Sequence, residues 1–256
     1  MSKIVLMAND IVGLKVAEHI ISKGDKIVRL YLHQEGKTKM ANEIIDASLC
    51  VDDEIFYANS LKDQTNINSL KALNADFIIT VYWAHLLTLD VINTVKDTVN
   101  FHPALLPINR GWFPHVHSIL DGSASGVTIH RIDEGADTGP IWAQKEIKLS
   151  VYDTAKKIYD KLQKEIVNLF IENWDNIKNG TIKPFPQDHS KAVYHNKSEI
   201  SKLDQIDIEK NTSARELINI LRARSFGNLG FAYFNENNKK VFLNLRISDN
   251  HKFSDK

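Results

Sequence analysis

A chain of 256 residues with 43% hydrophobic and 25% charged residues has the composition of an ordinary soluble globular protein, long enough for one large α/β domain and a small addition. Its 32 basic residues balance 32 acidic ones, and a net charge of zero argues against nucleic acid as the principal partner, because phosphate binding shows as an excess of Lys and Arg. A single cysteine, Cys50, excludes a disulfide framework and a CxxC zinc site, and fits a reducing compartment.

The chain opens with "KIVLMA" (3–8), an apolar run of strand type. "MSKIVLMANDIVG" lacks the apolar core and cleavage site of a signal peptide, and no apolar run approaches the roughly 20 residues of a membrane span, so a cytoplasmic protein is expected. "DIVGLKVAEHIISKG" carries Leu14, Ala17, Ile20 and Ile21 at helical spacing and closes on Gly24. "KIVRLYLH" (26–33) and "EIFYA" (54–58) read as strands. Ser60 of "SLKD" is expected to cap a helix. "DFIITVYW" (76–83) is nearly all apolar, as a strand covered on both faces is. "TLDVINTV" reads as a short helix and "TVNFH" as a strand. The alternation predicts βαβ units and a parallel sheet.

"SGVTIHRID" (125–133) and "PIWAQKEIKL" (140–149) are further strands around an "EGADTG" turn. "SVYD" starts a long helix whose stripe runs through Ile158, Leu162, Ile166, Leu169, Phe170 and Ile177 and stops at Gly180. Residues 181–205 hold two prolines and little periodicity, and read as a connector. "SARELINILRARS" is a helix, "GFAYF…KKVFLNLRI" a hairpin, and the polar end a loose tail. The expected division is a domain at 1–180 and a small α+β region at 181–256.

Three stretches carry chemistry. In "NFHP", Asn100 and His102 lie two apart on a strand and so share a face, and Pro103 ends the ladder. Polar groups at the carboxyl end of a strand in a doubly wound sheet stand where ligands bind, and an imidazole there can donate a charged hydrogen bond or move a proton. The plain alternative is a pair that caps backbone groups. "DEGADTG" (133–139) is either an ordinary Asp/Gly turn or a loop that brings a carboxylate, Asp137, to an imidazole. In "WFPHVHS" Pro114 suggests the first turn of a helix, on which His115 and His117 diverge by about 200°, so a joint zinc site is not expected. Trp112, Phe113 and His115 either line a pocket or pack. The first βα turn, "MANDIVG", lacks GxGxxG, and neither a phosphate loop nor a GxSxG elbow occurs, which argues against a nicotinamide enzyme and against a serine nucleophile.

Taken in order, "NFHPALLP", the turn with Gly111 and "GVTIHRIDEGADTGPIWAQ" resemble the folate-dependent formyltransferases, whose pattern is Asn-x-His-x-Ser-Leu-Leu-Pro, a Gly-Val-Thr-x-His strand and an Asp-x-Gly-x-Asp-Thr-Gly loop. Ala104 stands where many of that family have serine. The resemblance covers about 1–180 and implies a Rossmann-like formyltransferase fold, a mostly parallel sheet flanked by helices, with the α+β region appended. It implies a catalytic trio of Asn100, His102 and Asp137, and 10-formyltetrahydrofolate as donor, with no metal. The folate is expected against Trp83, Ala84, His85 and Leu86 and against the loop of Asp133, Gly135 and Asp137.

Within that family the chain is similar to the sugar N-formyltransferases. It is neutral, unlike the methionyl-tRNA enzymes with their basic C-terminal domain. It lacks the glycine-rich phosphate loop of the glycinamide ribonucleotide transformylases and the regulatory domain of the formyltetrahydrofolate hydrolases. The implied acceptor is a nucleotide-linked amino sugar, dTDP-4-amino-4,6-dideoxyglucose first, with a 3-amino or GDP-/UDP-linked sugar open, as is a non-catalytic binding module. Acceptor contacts are assigned to Asn9, which is otherwise a helix cap, and to Asn109, Arg110, Trp112, Phe113 and His115. Arg222 and Arg224, in a tail similar to the Ile-Arg-Ala segment of that branch, are diphosphate candidates with Arg110. The resemblance also implies a homodimer.

Overall fold

The computed structural model of this chain describes every residue except Glu35 and 250–256, so the expected loose tail lies largely outside the described residues. Seven strands form one sheet in the order β3-β2-β1-β4-β5-β7-β8. These are β1 (Lys3–Ala8), β2 (Lys26–Leu32), β3 (Ile55–Tyr57), β4 (Phe77–Val81), β5 (Asp97–His102), β7 (Ser125–His130) and β8 (Ile141–Ile147), with the two-residue β6 (Arg110–Gly111) lying outside this sheet. Strands β1 to β5 pair in parallel, and β7 runs antiparallel to β5. The expected mostly parallel α/β sheet is what forms. Parallel strands covered on both faces are apolar throughout, and all five residues of β4 are buried.

Helix α1 (Asp10–Ser22) follows β1, and Gly24 takes the left-handed conformation just beyond it. Helix α2 (Ala41–Ser48) follows β2 and has no counterpart in the sequence reading. The helix expected to start at Ser60 starts later. Residues Ala58–Lys62 make a 3₁₀ turn, and α3 (Gln64–Ala72) is capped by Asp63, whose carboxylate accepts the Thr65 N–H at 2.8 Å. Asp63 offers the same cap with a charge that complements the helix dipole. Helix α4 (Leu89–Ile92) precedes β5. Helix α5 (Pro114–Leu120) has proline at its start. Helix α6 (Ala155–Lys178) buries the expected stripe and adds Trp174, which is fully buried.

The later segments hold β9 (Tyr194–His195), α7 (Glu199–Asp204), α8 (Ala214–Ala223), the short pair β10 (Ser225–Phe226) and β11 (Leu229–Gly230), and the antiparallel hairpin of β12 (Ala232–Glu236) and β13 (Lys239–Leu243). Ser213 caps α8 by accepting the Glu216 N–H.

The compact units do not follow chain order. Residues 1–102, 127–145 and 163–188 form one unit, and 103–126, 146–162 and 189–256 form the other. A cut at residue 180 would follow the sequence signal of Gly180. The fold instead assigns 103–126 and 146–162 to the same unit as the C-terminal region. Among the described residues no helix is long and apolar enough to cross a membrane.

Candidate active site

The site in the first unit is built across three adjacent strands. In the parallel register of β4 and β5, Thr80 lies opposite Asn100, and in the antiparallel register of β5 and β7, Asn100 lies opposite His130. Directly paired residues project on the same side of a sheet, so the three side chains form a row. Thr80 Oγ1 donates to Asn100 Oδ1 at 2.6 Å, which assigns the amide oxygen to the Thr80 side. His130 Nδ1 lies 2.6 Å from the Arg131 carbonyl, so Nδ1 carries the proton and Nε2 accepts from Asn100 Nδ2 at 2.9 Å. Thr80 and His130 are 2% exposed, and sequence reasoning assigned neither to the site. The paired register was the missing information, since strand neighbours come from positions 20 and 30 residues away in sequence.

Asp137 faces this row. Its Oδ1 stands 3.4 Å from Asn100 Nδ2 and 3.4 Å from His102 Nδ1. It is also 3.5 Å from His130 Nε2. That last distance makes an ion pair only with a protonated ring, and the tautomer fixed by Arg131 O places a lone pair there instead. The structure therefore brings Asn100, His102 and Asp137 together. Asp137 sits at φ 56°, a left-handed conformation that Asp tolerates better than most residues. Gln187, 6% exposed, holds the loop in place by donating to the backbone oxygens of Asp137 and Gly139 at 2.9 and 2.7 Å. A side chain at position 139 would collide with the Arg131 carbonyl, so only glycine fits. Asp133 closes the other side of the turn through the Gly135 N–H and the Thr138 hydroxyl.

The segment after β4 presents an aromatic wall. His33 stacks on Trp83 with centroids 4.7 Å apart at 14°, and His85 meets the same indole edge-on at 5.4 Å. Burial lowers the pKa of His33, and the charge of His85 adds to it, against a hydrogen bond to the Tyr82 carbonyl. Ala84, His85 and Leu86 are exposed. Trp83 Nε1 is buried without a hydrogen-bond partner among the described residues.

The acceptor contacts expected in the second unit are redistributed. Asn109 is 1% exposed and bonds Ser123 and His195; Arg110 is 6% exposed, with one N–H on His189 Nδ1. Both are taken up by the loop's own architecture, where β6 pairs with β9 and where Cβ at Gly111 would strike the His195 carbonyl. His115 is buried beside Tyr159 and Phe226, and its pKa is pushed down to about 3 by burial, then by Arg224 and His117. It packs among these rings. Arg224 pairs with Asp204 at 2.5 Å and lies over Phe231. Arg222 donates to the backbone of 150 and 153. Trp112 remains exposed, with the Lys197 ammonium 5.0 Å over its ring and Phe113 beside it. In the first unit Asn9 occupies the N-cap position of α1, but its side chain accepts the Lys39 N–H at 2.9 Å instead of a helix donor.

Among the described residues one group of side chains has metal-ligand spacing: His117, His195 and Glu199. The two rings stack at 3.4 Å and 6°, which sends their in-plane lone pairs along parallel planes rather than to one point. His195 already uses both nitrogens, on Glu199 and Asn109 at 3.0 Å each. The group is a stacked, hydrogen-bonded joint.

A strand-end amide, an imidazole and a carboxylate thus meet at the carboxyl end of an α/β sheet, the place where such sheets bind ligands. Residues 16–173 match the formyl transferase family and residues 199–249 match the N-formyltransferase dimerization C-terminal domain; the chain belongs to the formyl transferase family. It is 34% identical over 79% of its length to a methionyl-tRNA formyltransferase of Thermodesulfovibrio yellowstonii, covering 67% of that protein. It is 35% identical over 57% of its length to a dTDP-4-amino-4,6-dideoxyglucose formyltransferase of Mycobacterium bovis, covering 63% of it. The chain thus spans about two thirds of these relatives. Among solved structures, a 4-N formyltransferase from Francisella tularensis is 29% identical with a TM-score of 0.83, each chain covered to 97–98%. The formyltransferase PseJ from Anoxybacillus kamchatkensis, in complex with UDP-4,6-dideoxy-4-formamido-L-AltNAc and tetrahydrofolate, is 27% identical with a TM-score of 0.60 over 86% of this chain and 98% of that one.

Proposed function

We propose that this protein transfers a formyl group from 10-formyltetrahydrofolate to the amino group of a nucleotide-linked amino sugar, with dTDP-4-amino-4,6-dideoxyglucose as the leading acceptor. The observation that carries the reading is the convergence of Asn100 Nδ2 and His102 Nδ1 on one oxygen of Asp137, 3.4 Å from each. Folate is supported by the segment after β4, where the exposed residues Ala84, His85 and Leu86 adjoin the stacked rings of His33 and Trp83. It is supported also by the tetrahydrofolate bound to PseJ. The sugar branch is supported by the match of 199–249 to the N-formyltransferase C-terminal domain and by the sugar-nucleotide relatives. That domain also supports assembly as a homodimer.

When bound, the folate supplies a formyl carbon activated on nitrogen. The remaining work falls to the chain. The amine must attack uncharged, and an oxygen gains negative charge as it does so. Thr80 and His130 fix the amide of Asn100, and its second N–H, held only loosely by Asp137, is the one available to that oxygen. His102 Nδ1 faces Asp137, and a protonated His102 ring would be a second donor to that oxygen. Asp137 can take the amine proton, which would pass to the folate nitrogen as its bond to the formyl carbon breaks. Contacts of 3.4 Å are long, and such bonds commonly tighten only with substrate in place.

The test is a turnover assay with 10-formyltetrahydrofolate, mass detection, and a panel of dTDP-, GDP- and UDP-linked amino sugars with charged initiator tRNA as a further acceptor. A formylated dTDP-4-amino sugar is expected. His102→Asn should lower kcat by about 10²–10³-fold, the scale of losing one oxyanion donor. Formylation of tRNA alone, or unchanged turnover in His102→Asn, would overturn the reading.

A further inference from the structure

The second unit carries a cleft of about 470 Å³, walled by the turn after α5, the 146–151 segment and α8. A volume of that size suits a small ligand rather than a few waters. Three cations line it, Lys148, Arg215 and Arg222, against one acid, Glu146. Three positive charges less one negative leave a surplus of two.

Arg222 is the unusual member. It is 9% exposed. Its Nε donates to the Asp153 carbonyl at 3.0 Å, one terminal nitrogen to Asn219 Oδ1 at 3.0 Å, and the other to the Ser150 carbonyl at 2.8 Å. All three acceptors are uncharged. The nearest carboxylate, that of Asp153, is bound by Lys161 at 2.7 Å and by the Ser150 N–H. Among the described residues Arg222 therefore has no ion-pair partner. A buried charge without a counter-ion is costly, and burial indeed pulls the Arg222 pKa down, with Asp153 offsetting only part. A guanidinium has five N–H groups, so two remain after these three bonds. Arg215 and Arg222 lie seven apart on α8, two turns along one face, and neither Arg215 nor Lys148 has an ion pair or hydrogen bond among the described residues.

We infer that this cleft binds a phosphoryl-bearing ligand, with the two remaining N–H groups of Arg222 on the anion and Lys148 and Arg215 supplying the balancing charge. A surplus of two positive charges matches a phosphate dianion better than a single carboxylate. The rigid fork of Arg222 gives the geometry and the two mobile cations give the charge. Ser123 and Ser150 line the same cleft and add polar surface beside the cations. The phosphate belongs either to the diphosphate of the acceptor or to a separate nucleotide. Only that second distinction rests on the proposed transfer reaction.

The experiment is titration calorimetry of the full chain with inorganic pyrophosphate and with dTDP. Saturable binding is expected for wild type, weakened tenfold or more in Lys148→Ala/Arg215→Ala and tightened in Glu146→Gln, with Arg222 kept because it also ties down the 150–153 turn. Equal affinity in the double variant, or no saturable heat with either probe, overturns the proposal. In turnover, a raised acceptor KM in the double variant assigns the cleft to the acceptor diphosphate. An unmoved KM with binding lost assigns it to a separate nucleotide. If wild type transfers no formyl group at all, the calorimetric arm still decides.

Discussion

Asn100 is gripped from both sides, by a hydroxyl on β4 and an imidazole on β7. An asparagine amide presents oxygen on one edge and two N–H groups on the other, and a flipped amide would turn its oxygen toward the His130 lone pair and the Asp137 carboxylate. The His130 Nε2 lone pair prevents the flip by requiring the N–H edge, and the Thr80 hydroxyl donates to the oxygen on the other side. Thr80→Val keeps the shape and removes the donor. We expect kcat to fall about tenfold, the worth of one net hydrogen bond of about 1–1.5 kcal/mol, with substrate KM little changed and Thr80→Ser restoring most of the rate. A valine variant with wild-type kcat would show that the amide is held by other means.

Helix α6 is fastened at its far end by one carboxylate. Asp25 accepts from the Trp174 indole and the Lys178 ammonium at 2.9 Å each and from the Ser2 N–H at 2.8 Å. Burial pushes its pKa up, but the Ser2 N–H, Lys178 and Trp174 together hold it below the usual carboxylate value. Asp25→Ala leaves a buried indole N–H without an acceptor and the Lys178 ammonium with only Asp175, and should cost on the order of 2–4 kcal/mol in denaturant unfolding. The α5 histidines give a different signature. His117 is pushed down to about 4 by burial and then by His195, and His115 to about 3. Both are neutral in the folded chain at neutral pH, while in the unfolded chain they protonate near 6.5. Their contribution to stability is complete above that pH and erodes as pH falls towards 4, so the melting temperature should drop across that window, less steeply in His117→Phe. The sequence displayed these elements unevenly. The period of α6 and the apolar run of β4 are local and could be read directly. The antiparallel turn of β7, the burial of Asn109 and Arg110 under the 193–195 segment, and the support of Asp137 by Gln187 all come from pairings between distant positions, which no local pattern encodes. Ser60 and Asp63 are both good caps, and only packing chooses between them.

For the whole molecule, the C-terminal region leaves large apolar side chains in water. Leu229, Phe231 and Phe242 are 60%, 41% and 61% exposed within the segment matching the dimerization domain. A single chain gains nothing from that arrangement, whereas a second copy would cover it. Size-exclusion with light scattering should give twice the 29.1 kDa chain mass, and Phe242→Asp should shift the protein towards monomer. A monomeric wild type would rule out that interface. The interleaved units have a further consequence, for how the protein is made. Ribosomes deliver roughly 5–20 residues per second, and domains fold as their last segment emerges. The first unit needs strands from 127–145 and a helix from 163–188 to finish its sheet. Asn100 therefore leaves the exit tunnel several seconds before Gln187 arrives to secure the loop of Asp137. The nascent chain carries an unfinished sheet edge through that interval, and Asn100, His102 and Asp137 are held together only once residue 187 has emerged.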